Sequence, residues 1–170
     1  MSGLDDIAVN FRLNGEPRSL MAPADRRLID FMREDLSLVG AKKACSVGRC
    51  GACTVLLDGQ PANACLLMLW QLEGRDVVSP EGLDENADVA ILRAALASEN
   101  AFQCGYCAPG FVTALIALLR ERPDADDAAM RAALEGNICR CTGYHSILRG
   151  ARAAAEALRV ARAATAGEPA

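Results

Sequence analysis

Eight cysteines in a chain of 170 residues constrain its fold more than any other feature. They fall into two sets of four. The first reads Cys45-Ser-Val-Gly-Arg-Cys50-Gly-Ala-Cys53 and is completed by a solitary Cys65, a C-x4-C-x2-C…C pattern. The second joins Cys104-Gly-Tyr-Cys107 to Cys139-Arg-Cys141 across a long gap, and no cysteine is left over. The first spacing is that of a plant-type [2Fe–2S] cage, in which a compact loop gives three thiolates and a distant residue gives the fourth. Two such centres in a small chain point to one-electron transfer.

Other uses of the cysteines fit less well. Zinc is the rival for the second set, since Cys-x-x-Cys is a common half-site, but it explains the first set poorly. Disulfides need an oxidising compartment, and Met1 to Asn10 carries two aspartates and no basic signal-peptide start. Arg26-Arg27 is followed by Leu28-Ile-Asp-Phe-Met-Arg-Glu-Asp35, too charged for an export signal. The longest apolar stretch, Phe111 to Leu119, is far too short to span a bilayer. The expectation is a cytoplasmic protein whose thiols stay reduced. A net charge of −4 and 4% aromatic residues argue against a nucleic-acid surface.

Ile7, Val9, Phe11 and Leu13 alternate with more polar residues, the period of a half-buried strand. Asn14-Gly15 is a hairpin turn, with Glu16 to Leu20 returning. Asp25 is placed to cap a helix over Arg26 to Asp35. Gly40 to Cys53 reads as a loop, and Thr54–Leu57, Asp58-Gly59 and Gln60–Ala64 as a second hairpin. Val77 to Ser79 is the last strand. Beyond Pro80 and Gly82 the pattern turns helical. Helices are expected over Asp88–Ser98 and Pro109–Arg120, then after an Asp124 or Asp126 cap and before Gly136. A final helix has Ile147, Ala151, Ala154 and Leu158 on its inner stripe, and Ala161 to Ala170 is expected to fray. The fold class is α+β: a small α+β module over 1–80, which the resemblance given below makes ferredoxin-like, then a helical module over 81–165.

In the second set, Cys104 and Cys107 precede the Pro109 helix and Cys139 and Cys141 precede the last one. Helix N-termini favour an anionic cluster. In extended backbone, residues two apart project to one side, so Cys139 and Cys141 are expected to grip one iron.

Three segments carry a family resemblance: Gly48-Arg-Cys-Gly-Ala-Cys-Thr-Val-Leu-Leu-Asp-Gly59, Gln103-Cys-Gly-Tyr-Cys-Ala-Pro-Gly110 and Gly136-Asn-Ile-Cys-Arg-Cys-Thr-Gly-Tyr144. With both motifs in this order, the chain resembles the small iron–sulfur subunit of the xanthine dehydrogenase/aldehyde oxidase family of molybdenum hydroxylases. The resemblance implies a β-grasp domain followed by an all-α four-helix domain, each holding a [2Fe–2S] cluster. It also implies a complex with a large molybdopterin-binding subunit and a medium FAD subunit, with dimerisation of the complex left open. Electrons would pass singly from molybdopterin to the cluster on Cys104, Cys107, Cys139 and Cys141, then to that on Cys45, Cys50, Cys53 and Cys65, then to FAD. By the same resemblance Gln103 and Cys141 contact the pterin; the alternative for Gln103 is a cap on the Pro109 helix.

Ala44 departs from the glycine that many relatives carry before the first cysteine. His145 reads as a solvent or capping residue, and Trp70 as interface or core. The Arg49-Cys-Gly-Ala and Cys65-Leu-Leu-Met-Leu-Trp70 stretches resemble those of the purine and N-heterocycle oxidisers of the family, which implies a purine or N-heteroaromatic substrate. A free two-cluster carrier, an aldehyde or carbon monoxide dehydrogenase small subunit, and a zinc-stapled module are the alternatives.

Overall fold

The computed structural model describes residues 6–84 and 86–166, with side chains through 164. β1 (Asp6–Leu13) and β2 (Glu16–Pro23) form the first hairpin, β2 running three residues beyond the expected Leu20. Asn14 and Gly15 both take positive φ, 54° and 82°, which matches the right-handed twist of the flanking strands. β3 (Thr54–Leu57) and β4 (Gln60–Asn63) form the second hairpin about Asp58-Gly59. β5 (Asp76–Val78), one residue earlier than expected, enters between the hairpins and gives the sheet order β2-β1-β5-β3-β4. It runs parallel to β1 and antiparallel to β3, with Val77 opposite both Leu13 and Leu57.

The inward residues of β1, Val9, Phe11 and Leu13, share one core with Val55, Val77 and the helical residues Leu28, Ile29 and Met32. Those helical residues belong to α1 (Leu28–Asp30), which continues as a wider π turn over Phe31–Asp35. Asp25 does not cap it. The flanking residue is Arg27, in extended backbone and bridged to Met68. The first helical N–H groups find partners elsewhere: Leu28 N–H donates to the Leu67 carbonyl at 2.8 Å and Ile29 N–H to the Ala64 carbonyl at 3.2 Å. A tertiary contact thus satisfies donors that a side-chain cap would otherwise take. The same bonds hold the segment that carries Cys65 against α1.

The second half contributes α2 (Ala87–Ser98), α3 (Ala108–Glu121), α4 (Asp127–Leu134) and α5 (His145–Ala166). Asn86 caps α2 by accepting from Val89 N–H, and Asp126, not Asp124, caps α4 by accepting from Ala129 N–H. α3 is buried almost all round, because α2 and α4 pack beside it and β3 packs beneath it. Leu56 of β3 therefore belongs to the same core as Phe111, Leu115 and Ile116. α5 begins two residues before Ile147 and stays helical through Ala166, where fraying was expected. Arg162 accounts for this, reaching the Leu119 carbonyl at 3.0 Å and Asp88 Oδ2 at 2.6 Å. Residues 167–170 lie outside the described residues.

Candidate metal centres

Cys45, Cys50 and Cys53 lie on the loop between α1 and β3, and Cys65 follows β4. Cys53 and Cys65 are buried at the hairpin, while Cys45 and Cys50 are half-buried toward the loop's outer edge. The thiols interact with one another, Cys45 with Cys50, and Cys53 chiefly with Cys65 and also with Cys50. The Val47 backbone amide, helped by those of Arg49 and Cys50, draws the Cys45 thiol down to about 6 against the opposing effect of burial. Arg49 N–H reaches Cys45 Sγ at 3.3 Å. Burial, reinforced by Cys65, pushes Cys53 up to about 12. Arg27 steadies the loop from outside, donating to the Ser46 carbonyl at 3.1 Å.

In the second set Cys107 is the flanking residue of α3, and Cys139 and Cys141 lie in the short turn before α5. Here the pairing differs from the sequence expectation. Cys141 Sγ lies 3.6 Å from Cys104 Sγ, and the Cys139 thiol interacts with Cys107. Cys139 and Cys141 thus face different partners, because the Arg140 backbone is bent and not extended. A tetrahedral metal with bonds of ~2.3 Å to sulfur separates its ligands by roughly 3.8 Å, so Cys104 with Cys141 has the spacing of two sulfurs on one metal. Burial pushes Cys107 up to about 12, with Cys139 adding to it. At Cys139 burial is outweighed by the Thr142 hydroxyl, 3.1 Å from its sulfur, and by backbone amides, so its thiol is drawn down.

Among the described residues, no group of three or more histidine, cysteine or acidic side chains converges on a single ion. Sulfurs held as facing pairs fit a core with a metal atom per pair, as in a diiron cluster, better than they fit one zinc ion. Gln103, Cys104 and Cys141 are all exposed, and Gln103 borders a cavity of about 560 Å³ lined also by Phe102, Ala108, Pro109 and Val112. α3 has no side-chain cap, so Gln103 does not serve as one.

Residues 11–83 match the model of the 2Fe-2S iron–sulfur cluster binding domain, and residues 79–152 match that of the [2Fe-2S] binding domain. The nicotinate dehydrogenase small FeS subunit of Eubacterium barkeri is 39% identical over 90% of this chain and 98% of its own length. The chain belongs to the small iron–sulfur subunits of the molybdenum hydroxylases. The xanthine dehydrogenase iron–sulfur-binding subunit of Escherichia coli is 37% identical over 87% of this chain and 94% of its own. The aldehyde oxidoreductase of Desulfovibrio desulfuricans superposes with a TM-score of 0.83 at 34% identity. That match takes in 90% of this chain but only 17% of the other, so the fold occurs there as one segment of a much longer chain.

Sequence reasoning missed the residues that support the cysteines. Thr142 and Tyr144 shape the second set: the Tyr144 hydroxyl accepts from Cys139 N–H at 3.0 Å. Asn63 ties β4 to the first loop, donating to the Gly48 carbonyl at 3.3 Å. For Thr142 and Tyr144 the signal was present, since both lie within the Cys-Thr-Gly-Tyr motif.

Proposed function

We propose that Cys45, Cys50, Cys53 and Cys65 hold one [2Fe–2S] cluster within residues 1–80, and that Cys104, Cys107, Cys139 and Cys141 hold the other within 81–165. The observation that carries this reading is the approach of Cys141 Sγ to within 3.6 Å of Cys104 Sγ across 37 positions, the spacing of two sulfurs on one metal, with the other thiols of each set interacting beside one another. When bound, the two clusters supply a pair of one-electron centres, and the chain relays electrons from a molybdopterin subunit to an FAD subunit. The chain's own contribution is to fix the thiols, to shield Cys53, Cys65 and Cys139 from water, and to aim N–H and O–H donors at sulfur. Donors to sulfur stabilise the more negative, reduced state and raise its potential.

Gln103 and Cys141 contact the pterin of the large subunit, a role that suits the exposure of both and the place of Gln103 at the rim of the cavity. Trp70, Leu66 and Val47, each more than half exposed, stand on and near the first loop where the FAD subunit would approach. The substrate class is a purine or N-heteroaromatic compound, in keeping with the nicotinate and xanthine relatives; the complex that contains the chain sits in the cytoplasm, where free thiols persist. No helix among the described residues is long and apolar enough to cross a membrane.

Isolation of the native complex under anaerobic conditions tests this reading. Co-purification with molybdenum and flavin, and turnover of nicotinate or a purine, is the expected result. A monomer that carries iron and sulfide but never associates with flavin would mean a free electron carrier instead.

A further inference from the structure

The second cysteine set has a kind of donor that the first lacks. Thr142 Oγ1 lies 3.1 Å from Cys139 Sγ and donates to it. Among the described residues, and cysteines aside, no other side chain donates a hydrogen bond to a cysteine sulfur. At the first set, Arg49 reaches Cys45 Sγ through its backbone N–H, which any residue but proline would supply.

The surroundings of Thr142 fix the direction of its hydroxyl. A hydroxyl proton turns to suit its neighbours, so its aim depends on what else the oxygen binds. Tyr144 N–H donates to Thr142 Oγ1 at 3.3 Å, which occupies a lone pair and leaves the hydroxyl proton for the sulfur. Each donor in such a chain polarises the next, which strengthens the bond to Cys139. To present that N–H, Tyr144 takes a φ of +71°, a left-handed backbone unfavourable for any residue but glycine. Two contacts hold it there. Its ring packs 6.2 Å from that of the fully buried Phe111, and its hydroxyl accepts from Cys139 N–H at 3.0 Å. Strain of this kind persists where the surrounding structure over-determines it, and it gathers at functional sites. Cys139 is 8% exposed, so little water reaches its sulfur to stand in for the hydroxyl.

We propose that Thr142 sets the reduction potential of the second centre, and that the left-handed backbone of Tyr144 aims it. The inference deepens the ligand assignment above and rests on it. The sulfurs carry more negative charge in the reduced state, so the hydroxyl stabilises that state more than the oxidised one and raises the potential. Uptake of an electron is thereby favoured at the set that lies beside Gln103. The donor is a side chain, so one substitution can reset the second centre without touching a ligand or the first centre.

The test uses the native complex with three variants. Thr142→Val keeps the branched shape and removes the donor, Thr142→Ala removes both, and Thr142→Ser keeps the hydroxyl. Iron and sulfide content reports on the ligands, and a redox titration followed by EPR gives each centre's potential. Electron–nuclear double resonance in light and heavy water reports on exchangeable protons near the reduced second centre. Full iron and sulfide is expected throughout. In Thr142→Val and Thr142→Ala the equilibrium constant for electron uptake at the second centre is expected to fall about tenfold, ~59 mV for one electron. One exchangeable proton coupling is lost with it, while Thr142→Ser keeps both close to the parent and the first centre stays unmoved in all three. A second-centre potential equal to the parent's in Thr142→Val and Thr142→Ala would overturn the proposal. So would an equal shift of both centres, or a Thr142→Ser that titrates with Thr142→Val. Loss of iron from the second set in both donor-free variants would also overturn it, by making Thr142 scaffolding. An intact second signal in Cys107→Ser would instead overturn the ligand assignment.

Discussion

At the scale of single residues, the chain treats its cysteines unequally. Backbone amides hold the Cys45 thiol at about 6, while burial drives Cys53 and Cys107 to about 12. A lowered value favours the thiolate, so in the iron-free chain at pH 7 Cys45 is ionised and nucleophilic while the other two stay protonated. Limited alkylation read by mass spectrometry is expected to mark Cys45 well before Cys53 or Cys107, and its rate to fall as pH drops through about 6. Labelling that begins at Cys53 contradicts the assigned environments. Cys107→Ser removes one sulfur from the pair with Cys139, and is expected to lose the second centre while sparing the first. Gln103→Ala should leave iron and sulfide complete but slow reduction by the molybdenum-bearing partner; an unchanged rate counts against a pterin contact. That all eight cysteines act as sets was legible from spacing. Which sulfur faces which was not, because Cys104 and Cys141 approach across 37 positions, a distance in sequence that no local pattern spans.

At the scale of elements, legibility followed locality. Both hairpins, and the helices α2 to α5, announce themselves through two-residue turns, capping side chains and apolar stripes, all within a few residues of each other. The start of α1 was misread because its N–H partners, the Ala64 and Leu67 carbonyls, come from a segment far along the chain. The end of α5 was misread for the same reason, since Arg162 is anchored to Leu119 and Asp88. A paired substitution checks this distinction. Asp126→Ala removes a real cap and is expected to cost about 1 kcal/mol, lowering Tm by roughly 2–4 °C. Asp25→Ala, at the place where the sequence suggested a cap, should change stability by less than about 0.5 kcal/mol. Equal losses from the two would contradict the observed start of α1.

At the scale of the whole molecule, sheet and helices meet along β3 and α3, and the cysteine loops lie on either side of that seam. Burying Leu56 in the helical core, with Gly51 boxed by Gly110 and Asn137, makes the two halves one mechanical unit. One half presents Val47, Leu66 and Trp70 to solvent, and the other presents Gln103, Cys104 and Cys141. The overall order of the two modules was readable from the motifs alone; the seam was not, since Leu56 and Asn137 look like an ordinary strand residue and an ordinary loop residue. Metal and sulfide analysis of anaerobically purified protein, combined with EPR of the reduced form, tests the central claim most directly. About four irons and four acid-labile sulfides per chain, with two distinguishable one-electron signals, are predicted. A colourless chain containing zinc and no sulfide would contradict it.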